Sequence, residues 1–298
     1  MKALAYTRDI LRALRQGATL VVSISGGKDS QALLNALVRD KKRYQWTGTI
    51  VAVHATLGRA EWRQTLPHCR HICAQAGIPL VVVRRRDGRD LVDQWKQRMH
   101  DLAGTGKPFW SSSKARYCTS ALKREPLNKF LRTFTGSVIS AEGIRAAESR
   151  TRAKKTIAEV RQQITTKARK AYTWRPLLHW STEDVWNACG TTTADLERRQ
   201  ALYKAGQVEA AFDGWPAHVA YVIGNQRVSC ALCVLASKND LKNGAVHHPD
   251  LYIELVSMET ESGVSFRQDL ALSTLFEPEV PKEIKPRKRR KNQVVIAA

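Results

Sequence analysis

The sequence predicts an α/β fold on a parallel sheet, and three observations carry that prediction. Short apolar, β-rich segments alternate with longer amphipathic ones, the pattern of strands joined by crossover helices. The first clear strand runs through Val21-Val22-Ser23-Ile24, collapses into Ser25-Gly26-Gly27-Lys28-Asp29-Ser30 and reopens at once as a helix. A chain of 298 residues is long enough for a full core, in one large domain or two modest ones.

The elements follow in order. Residues 4–14 read as an opening helix, and strands are expected at 19–24, 49–54, 80–83 and 137–141. Helices are expected between them near 29–39, 61–76, 90–102 and 120–130. In such sheets ligands sit at the carboxyl ends of the strands. The turn at 25–30, His54 to Gly58, and Glu142-Gly143-Ile144-Arg145 all fall at that end. From about residue 150 the character changes: 150–170 is helical by propensity, either a solvated helix or a strip facing phosphates, with eight Lys or Arg and few acids. Ser181-Thr182-Glu183-Asp184 caps a short helix. Residues 278–298 are Pro-punctuated and basic, and read as disordered. No internal repeat is present.

The glycine turn is where the chemistry starts. Two adjacent glycines let the backbone turn sharply and present N–H groups to an anion, and the new helix adds its positive terminus. A phosphate or pyrophosphate is the natural guest. Lys28 adds a cation, Ser25 and Ser30 add hydroxyls, and Asp29 makes sense if a divalent metal such as Mg²⁺ travels with the phosphates. The spacing is not that of a Walker A loop.

Composition sets the limits. No run of about 18 apolar residues exists, and residues 1–17 lack a signal-peptide core, so the sequence predicts a cytoplasmic protein with no membrane segment. Lys and Arg number 49 against 27 Asp and Glu, a net charge of +22, of which +6 sits in residues 281–298. A body this basic is expected to attract polyanions, nucleic acid above all; the alternative is a basic protein with a small anionic substrate. Six cysteines, two as Cys230-Ala-Leu-Cys233, point to metal or redox use in a reducing compartment rather than a disulfide scaffold. Cys69, Cys73 and Cys189 lie in expected helices and read as buried and inert, and Trp180 and Trp186 as core. His54 reads as a packed strand-end histidine rather than a base.

The turn resembles the pyrophosphate loop of the adenine nucleotide α-hydrolases, which cleave ATP between its α and β phosphates to adenylate an acceptor. Further motifs extend the likeness: Tyr117-Cys118-Thr119 with Lys123-Arg124-Glu125-Pro126-Leu127, Glu142-Gly143-Ile144-Arg145-Ala146-Ala147-Glu148-Ser149, Arg175-Pro176-Leu177-Leu178-His179-Trp180 before the capped helix, and Cys230-x-x-Cys233. In this order, over residues 15–240, they resemble the phosphoadenosine phosphosulfate (PAPS) reductase family. The resemblance implies a Rossmann-like, HUP-type sheet with flanking helices and a smaller helical C-terminal part. It divides the chain into a nucleotide-binding unit at 1–150, a basic, Cys-x-x-Cys-containing remainder of the same catalytic unit at 151–277, and the tail at 278–298.

It also implies roles. Lys28, Asp29 and Arg145 are the expected catalytic residues, and Ser25, Gly26, Gly27, Lys28, Asp29, Ser30, Gly143, Arg145 and Glu148 the expected ATP contacts. Arg145 is suited to clamp phosphate bidentately, with Glu148 orienting it or binding metal, the alternative being a surface pair in a turn. Lys123 and Arg116 flank Cys118 and would steer an anion to it or lower its pKa. Two departures matter. Sulfonucleotide reductases attack with a cysteine near the C-terminus, and no cysteine follows Cys233; the complete loop motif argues instead for ATP as the molecule cleaved. Thr56 stands where many members carry an acid.

Cys118, Cys230 and Cys233 supply three thiolates, enough for a [4Fe–4S] cluster with one open iron, as in tRNA-thiolating relatives; zinc with His247 or His248, or no metal, stay open. The expected activity is ATP-dependent adenylation of a nucleic acid, DNA or tRNA, for sulfur transfer, with a sulfur-donor protein as a partner. DNA phosphorothioation proteins are similar and make phage or plasmid defence a plausible setting. The alternatives are a sulfonucleotide reductase and an ATP-sensing, non-catalytic nucleic-acid-binding component.

Overall fold

The computed structural model describes residues 2–276; the basic tail expected to be disordered lies outside the described residues. Six strands form one sheet in the order β3-β2-β1-β4-β6-β5. They are β1 (Thr19–Ser23), β2 (Ile50–Ala55), β3 (Leu80–Val83), β4 (Gly136–Ala141), β5 (Ala158–Val160) and β6 (Arg169–Trp174). All neighbours run parallel except β5, which pairs antiparallel with β6. The helices are α1 (Arg8–Arg15), α2 (Lys28–Tyr44), α3 (Thr65–Gln75), α4 (Leu91–Asp101), α5 (Tyr117–Thr119), α6 (Glu125–Leu131), α7 (Arg150–Ala153), α8 (Thr182–Ala188), α9 (Thr193–Lys204), α10 (Val208–Phe212), α11 (Lys238–His247) and α12 (Pro249–Ser262).

Side-chain alternation sorts the sheet into two faces. Leu20, Val22, Ile50, Ala52, Ile139, Ala141, Tyr172 and Trp174 point into a core shared with α1, α2, α3 and α8. Val21, Val51, Val53, Val138 and Ala171 point the other way, onto Leu131 of α6 and Ile164. A third cluster, around Trp62, Trp95, Phe109, Trp110 and Phe266, joins α4 to α11 and α12 beyond the sheet. Trp180 and Trp186 are buried, as are Cys69, Cys73 and Cys189.

The four expected strands are present within a residue or two of their predicted ends. Two expectations are corrected. The helix over 150–170 stops after α7 and gives way to β5, a 3-10 turn and β6. Intrinsic propensity is a weak prior that tertiary pairing overrides: Ala171 faces one side of the sheet and Tyr172 and Trp174 the other, the period of a strand. Arg161 donates to Asn128 Oδ1 at 2.7 Å, and Arg169 to the carbonyls of Ile164, Arg132 and Phe134, so both tie chain to chain. The helix expected at 120–130 forms with a defect, α5 and α6 being joined by a π-helical turn over Ser120–Arg124.

This topology fixes the site. From β1 the chain winds through β2 to β3 on one side, then returns to β4 and β6 on the other, so the order reverses between β1 and β4. The crevice at the carboxyl ends of those two strands is where ligands of such sheets bind. Among the described residues, no helix is long and apolar enough to cross a membrane.

Candidate active site

The loop from Ile24 to Lys28 turns at the mouth of that crevice. Gly26 has φ +76°, in the left-handed region open to glycine, and a Cβ there would lie 3.1 Å from Thr65 Cγ2. Gly27 is the N-cap of α2 and has no side chain to satisfy the first turn. Hydroxyls close the loop on itself: Ser30 Oγ donates to the Gly27 carbonyl at 2.8 Å and accepts the Ser25 N–H at 3.2 Å, and Ser25 Oγ lies 3.3 Å from it. Gly26 and Gly27 N–H make no hydrogen bond among the described residues. A bent backbone with spare donors at the start of a 17-residue helix is an anion cradle.

Gly143, at the end of β4, closes the crevice from the other side. A Cβ on it would lie 2.7 Å from the Asp29 carbonyl oxygen, so glycine is required where β4 meets the start of α2. Two residues on, the buried Arg145 donates from Nε to Asp29 Oδ1 at 2.5 Å and from Nη1 to Thr182 Oγ1 at 3.2 Å. Glu148 holds the Arg145 backbone N–H at 2.9 Å and pairs with Arg152 and, at 3.8 Å, Arg227. It therefore orients Arg145 through the backbone rather than through the guanidinium.

Lys28 is not the mobile cation that its place in the loop suggests. It is 8% exposed, with Nζ 3.4 Å from Asp29 Oδ2 and over the rings of Tyr221 at 5.2 Å and Trp186 at 5.7 Å. Cation–π contact of this kind is worth about 0.5–2 kcal/mol and holds the ammonium in one place. The Tyr221 hydroxyl accepts the Lys28 N–H at 2.9 Å. Asp29 thus stands between two cations, Lys28 and Arg145, and the three side chains meet at the cradle. Tyr221 and Thr182 were missed from the sequence. Thr182 sat inside the cap motif without being needed for the cap, whereas Tyr221 carried no signal.

The second strand contributes a buried pair. His54 Nδ1 donates to the Ile24 carbonyl at 2.9 Å, just before the loop, and Nε2 lies 3.2 Å from Glu61 Oε2. Burial works to lower the His54 pKa, but hydrogen bonds with Cys69 and Glu61 outweigh it and raise the value to about 10. The imidazolium so favoured donates from both nitrogens, which makes His54 a packed strut and not a base. Glu61 also accepts from Thr56 Oγ1 at 3.0 Å. A carboxylate from five residues later thus lies beside position 56.

The three candidate thiols share one neighbourhood. Ala231 N–H donates to the Ala60 carbonyl at 2.8 Å, and Cys230 bridges to Glu61, so the Cys-x-x-Cys loop docks on the segment after β2. Cys230 is hydrogen-bonded to Cys233, and Cys118 and Lys123 act on Cys230 electrostatically. The bond from Cys230, helped by the Leu235 backbone and by Lys123, lowers the Cys233 thiol below the ordinary thiol range against the cost of burial. Yet among the described residues no group of three His, Cys, Asp or Glu side chains is gathered to hold a metal ion. The thiols therefore do not fit a cluster as placed, and His247 and His248 pack instead on Trp62, at 5.9 and 5.0 Å between ring centres.

Comparison with known proteins places the chain at the level of family. The family model described as phosphoadenosine phosphosulfate reductase domain matches residues 19–234. The search of curated proteins gave no match. Among solved structures the chain is similar to a PAPS reductase from Candida auris in its phosphate complex, with 12% identity, 77% of this chain and 98% of that one covered, and a TM-score of 0.44. It is also similar to the U34-tRNA thiolase NcsA from Methanococcus maripaludis with its [4Fe-4S] cluster, with 14% identity, 92% and 81% covered, and a TM-score of 0.43. NAD⁺ synthetase from Burkholderia pseudomallei is a third, with 16% identity, 61% and 68% covered, and a TM-score of 0.34.

Proposed function

The chain belongs to the phosphoadenosine phosphosulfate reductase domain family, and from that premise we propose that it cleaves ATP to AMP and pyrophosphate, adenylating a nucleic acid for sulfur transfer. One observation carries the reading: the Gly26-Gly27 turn at the head of α2, with Lys28, Asp29 and Arg145 converging on it.

The β and γ phosphates lie on the Gly26 and Gly27 N–H groups. Lys28 and Arg145 then exchange the Asp29 carboxylate for phosphate oxygens, a better partner for the Arg145 fork. Asp29, freed from them, is the residue that would hold Mg²⁺, which neutralises charge on the phosphates when bound. An acceptor oxygen attacks the α-phosphorus, the bond to the bridging oxygen breaks, and pyrophosphate leaves into donors already in place. A sulfur nucleophile, brought by a donor protein, then displaces AMP from the adenylated acceptor. The +22 charge of the chain supports DNA or tRNA as that acceptor. No step runs through a cluster, because the thiols are not gathered for one.

Family membership favours reduction of a sulfonucleotide as the second reading. One assay separates the two. Anaerobically purified protein given α-labelled ATP, with and without DNA or tRNA, releases AMP and pyrophosphate on the first reading. Conversion of PAPS to sulfite, without ATP cleavage, establishes the second; ATP bound and never cleaved marks a sensor.

A further inference from the structure

We propose that the groove between the loop after β3 and α6 binds a single-stranded nucleic-acid segment through its phosphates. This rests on the nucleic-acid acceptor inferred above and gives that acceptor a place. The groove has a volume of about 700 Å³, with Arg84, Arg85 and Arg86 on one wall and Lys129 and Arg132 on the other. Its two acids are Asp87 and Glu125. Asp87 is already engaged by Arg85 at 3.1 Å and Arg89 at 3.8 Å. Arg84, Arg86, Lys129 and Arg132 are exposed and form no ion pair among the described residues. Cations facing one another across a concave strip repel, and an anion laid between them relieves that repulsion.

The shape of the positive surface selects a chain over a single phosphate. Two cavities lie along one helical run: Ala121, Glu125 and Lys129 line the groove, while Arg116, Tyr117 and Arg124 line a second cavity of about 390 Å³ beside Cys118. The π-helical turn over Ser120–Arg124 lines both cavities, the second through Ser120 and Arg124 and the groove through Ala121, and such turns in helices recur at functional sites. A succession of cations along a groove matches a succession of phosphates. A concave wall takes in one backbone, whereas a duplex is read by an element that enters its groove.

The location suits an acceptor. β3 lies two strands from β1, and strand spacing puts the loop after β3 roughly 10 Å from the phosphate cradle, at the same end of the parallel sheet.

The test is fluorescence anisotropy of the full chain with short labelled single-stranded DNA and RNA, without ATP, across a salt series. The charge reversals are Arg84→Glu with Arg86→Glu, and Lys129→Glu with Arg132→Glu. Each pair is expected to weaken binding about tenfold or more and to lower the log–log salt slope by about 0.7 for each phosphate that the variant no longer neutralises. Lys154→Glu with Lys155→Glu, an exposed basic pair elsewhere, is expected to have a smaller effect. Should a reversal unfold the chain, the neutral Arg84→Gln, Arg86→Gln pair carries the same readout. Unchanged binding in the groove variants, an equal loss at Lys154 and Lys155, or competition by polyglutamate as strong as by oligonucleotide overturns the proposal. Because the readout needs no nucleotide, it stands or falls apart from ATP cleavage.

Discussion

The phosphate cradle and the thiol cluster lie at the same end of one sheet, yet they are built to different standards. The cradle is made by consecutive backbone: a strand, two glycines and a helix, closed by Gly143 at the neighbouring strand, so its geometry is set before any ligand arrives. The thiols come from segments more than a hundred residues apart and meet only because the Cys230 loop docks on Ala60 and Glu61. They share electrostatics without sharing a metal-binding geometry. The difference teaches that the anion cradle is preorganised, while whatever the cysteines do depends on long-range docking.

The sharpest way to break this comparison is to disable the cradle. Asp29→Ala and Arg145→Ala are each expected to cut AMP release by about 10²–10³-fold, the scale for removing one preorganised charge partner. Cys230→Ser is expected to leave AMP release within about twofold. An equal loss from Cys230→Ser would show the two regions to be one machine.

Gly143→Ala comes next. Its methyl group would press on the Asp29 carbonyl from 2.7 Å, and overpacking of this kind costs about 1–3 kcal/mol. A lower thermal midpoint together with weakened ATP binding is the expected pair of readouts. An unchanged midpoint would show that β4 and α2 are free to move apart.

On the thiol side, iodoacetamide should label Cys233 half-maximally at a pH below the ordinary thiol range, because Cys230 stabilises the thiolate. In Cys230→Ser that profile should move toward the ordinary thiol range. A profile that stays in place would mean that Lys123, not Cys230, sets it.

The smallest effect belongs to His54. Its folded value, raised to about 10 from 6.5, means that its contribution to stability is complete below pH 6.5 and is lost as pH rises through 10. Thermal melts of the wild type should therefore fall, relative to His54→Gln, between neutral pH and pH 10. Parallel curves would remove the His54–Glu61 pair from the account.

Much of the cradle was legible because it is local. Ser25 to Ser30 carry their own turn, and the four expected strands have clear period-two or continuous apolar patterns. Gly143 and Arg145 were legible as a motif at a strand end, although the sequence could not say that Arg145 rests on Asp29 and Thr182. What failed was long-range. The basic residues of 150–170 favoured a helix, but pairing with β4 and burial of Tyr172 and Trp174 made a strand of residues 169–174. Tyr221 reaches Lys28 across 193 positions, and Glu61 brings a carboxylate onto His54 and Thr56. Neither contact has a local pattern to announce it.

The central claim is that the glycine turn grips the departing diphosphate of ATP. Titration calorimetry with magnesium present, comparing ATP, pyrophosphate and AMP on the wild type and Asp29→Ala, tests it most directly. The account predicts that ATP and pyrophosphate bind, compete with each other and lose affinity together in the variant, with AMP far weaker. Tighter binding of AMP than of ATP, with no uptake of pyrophosphate, would contradict it.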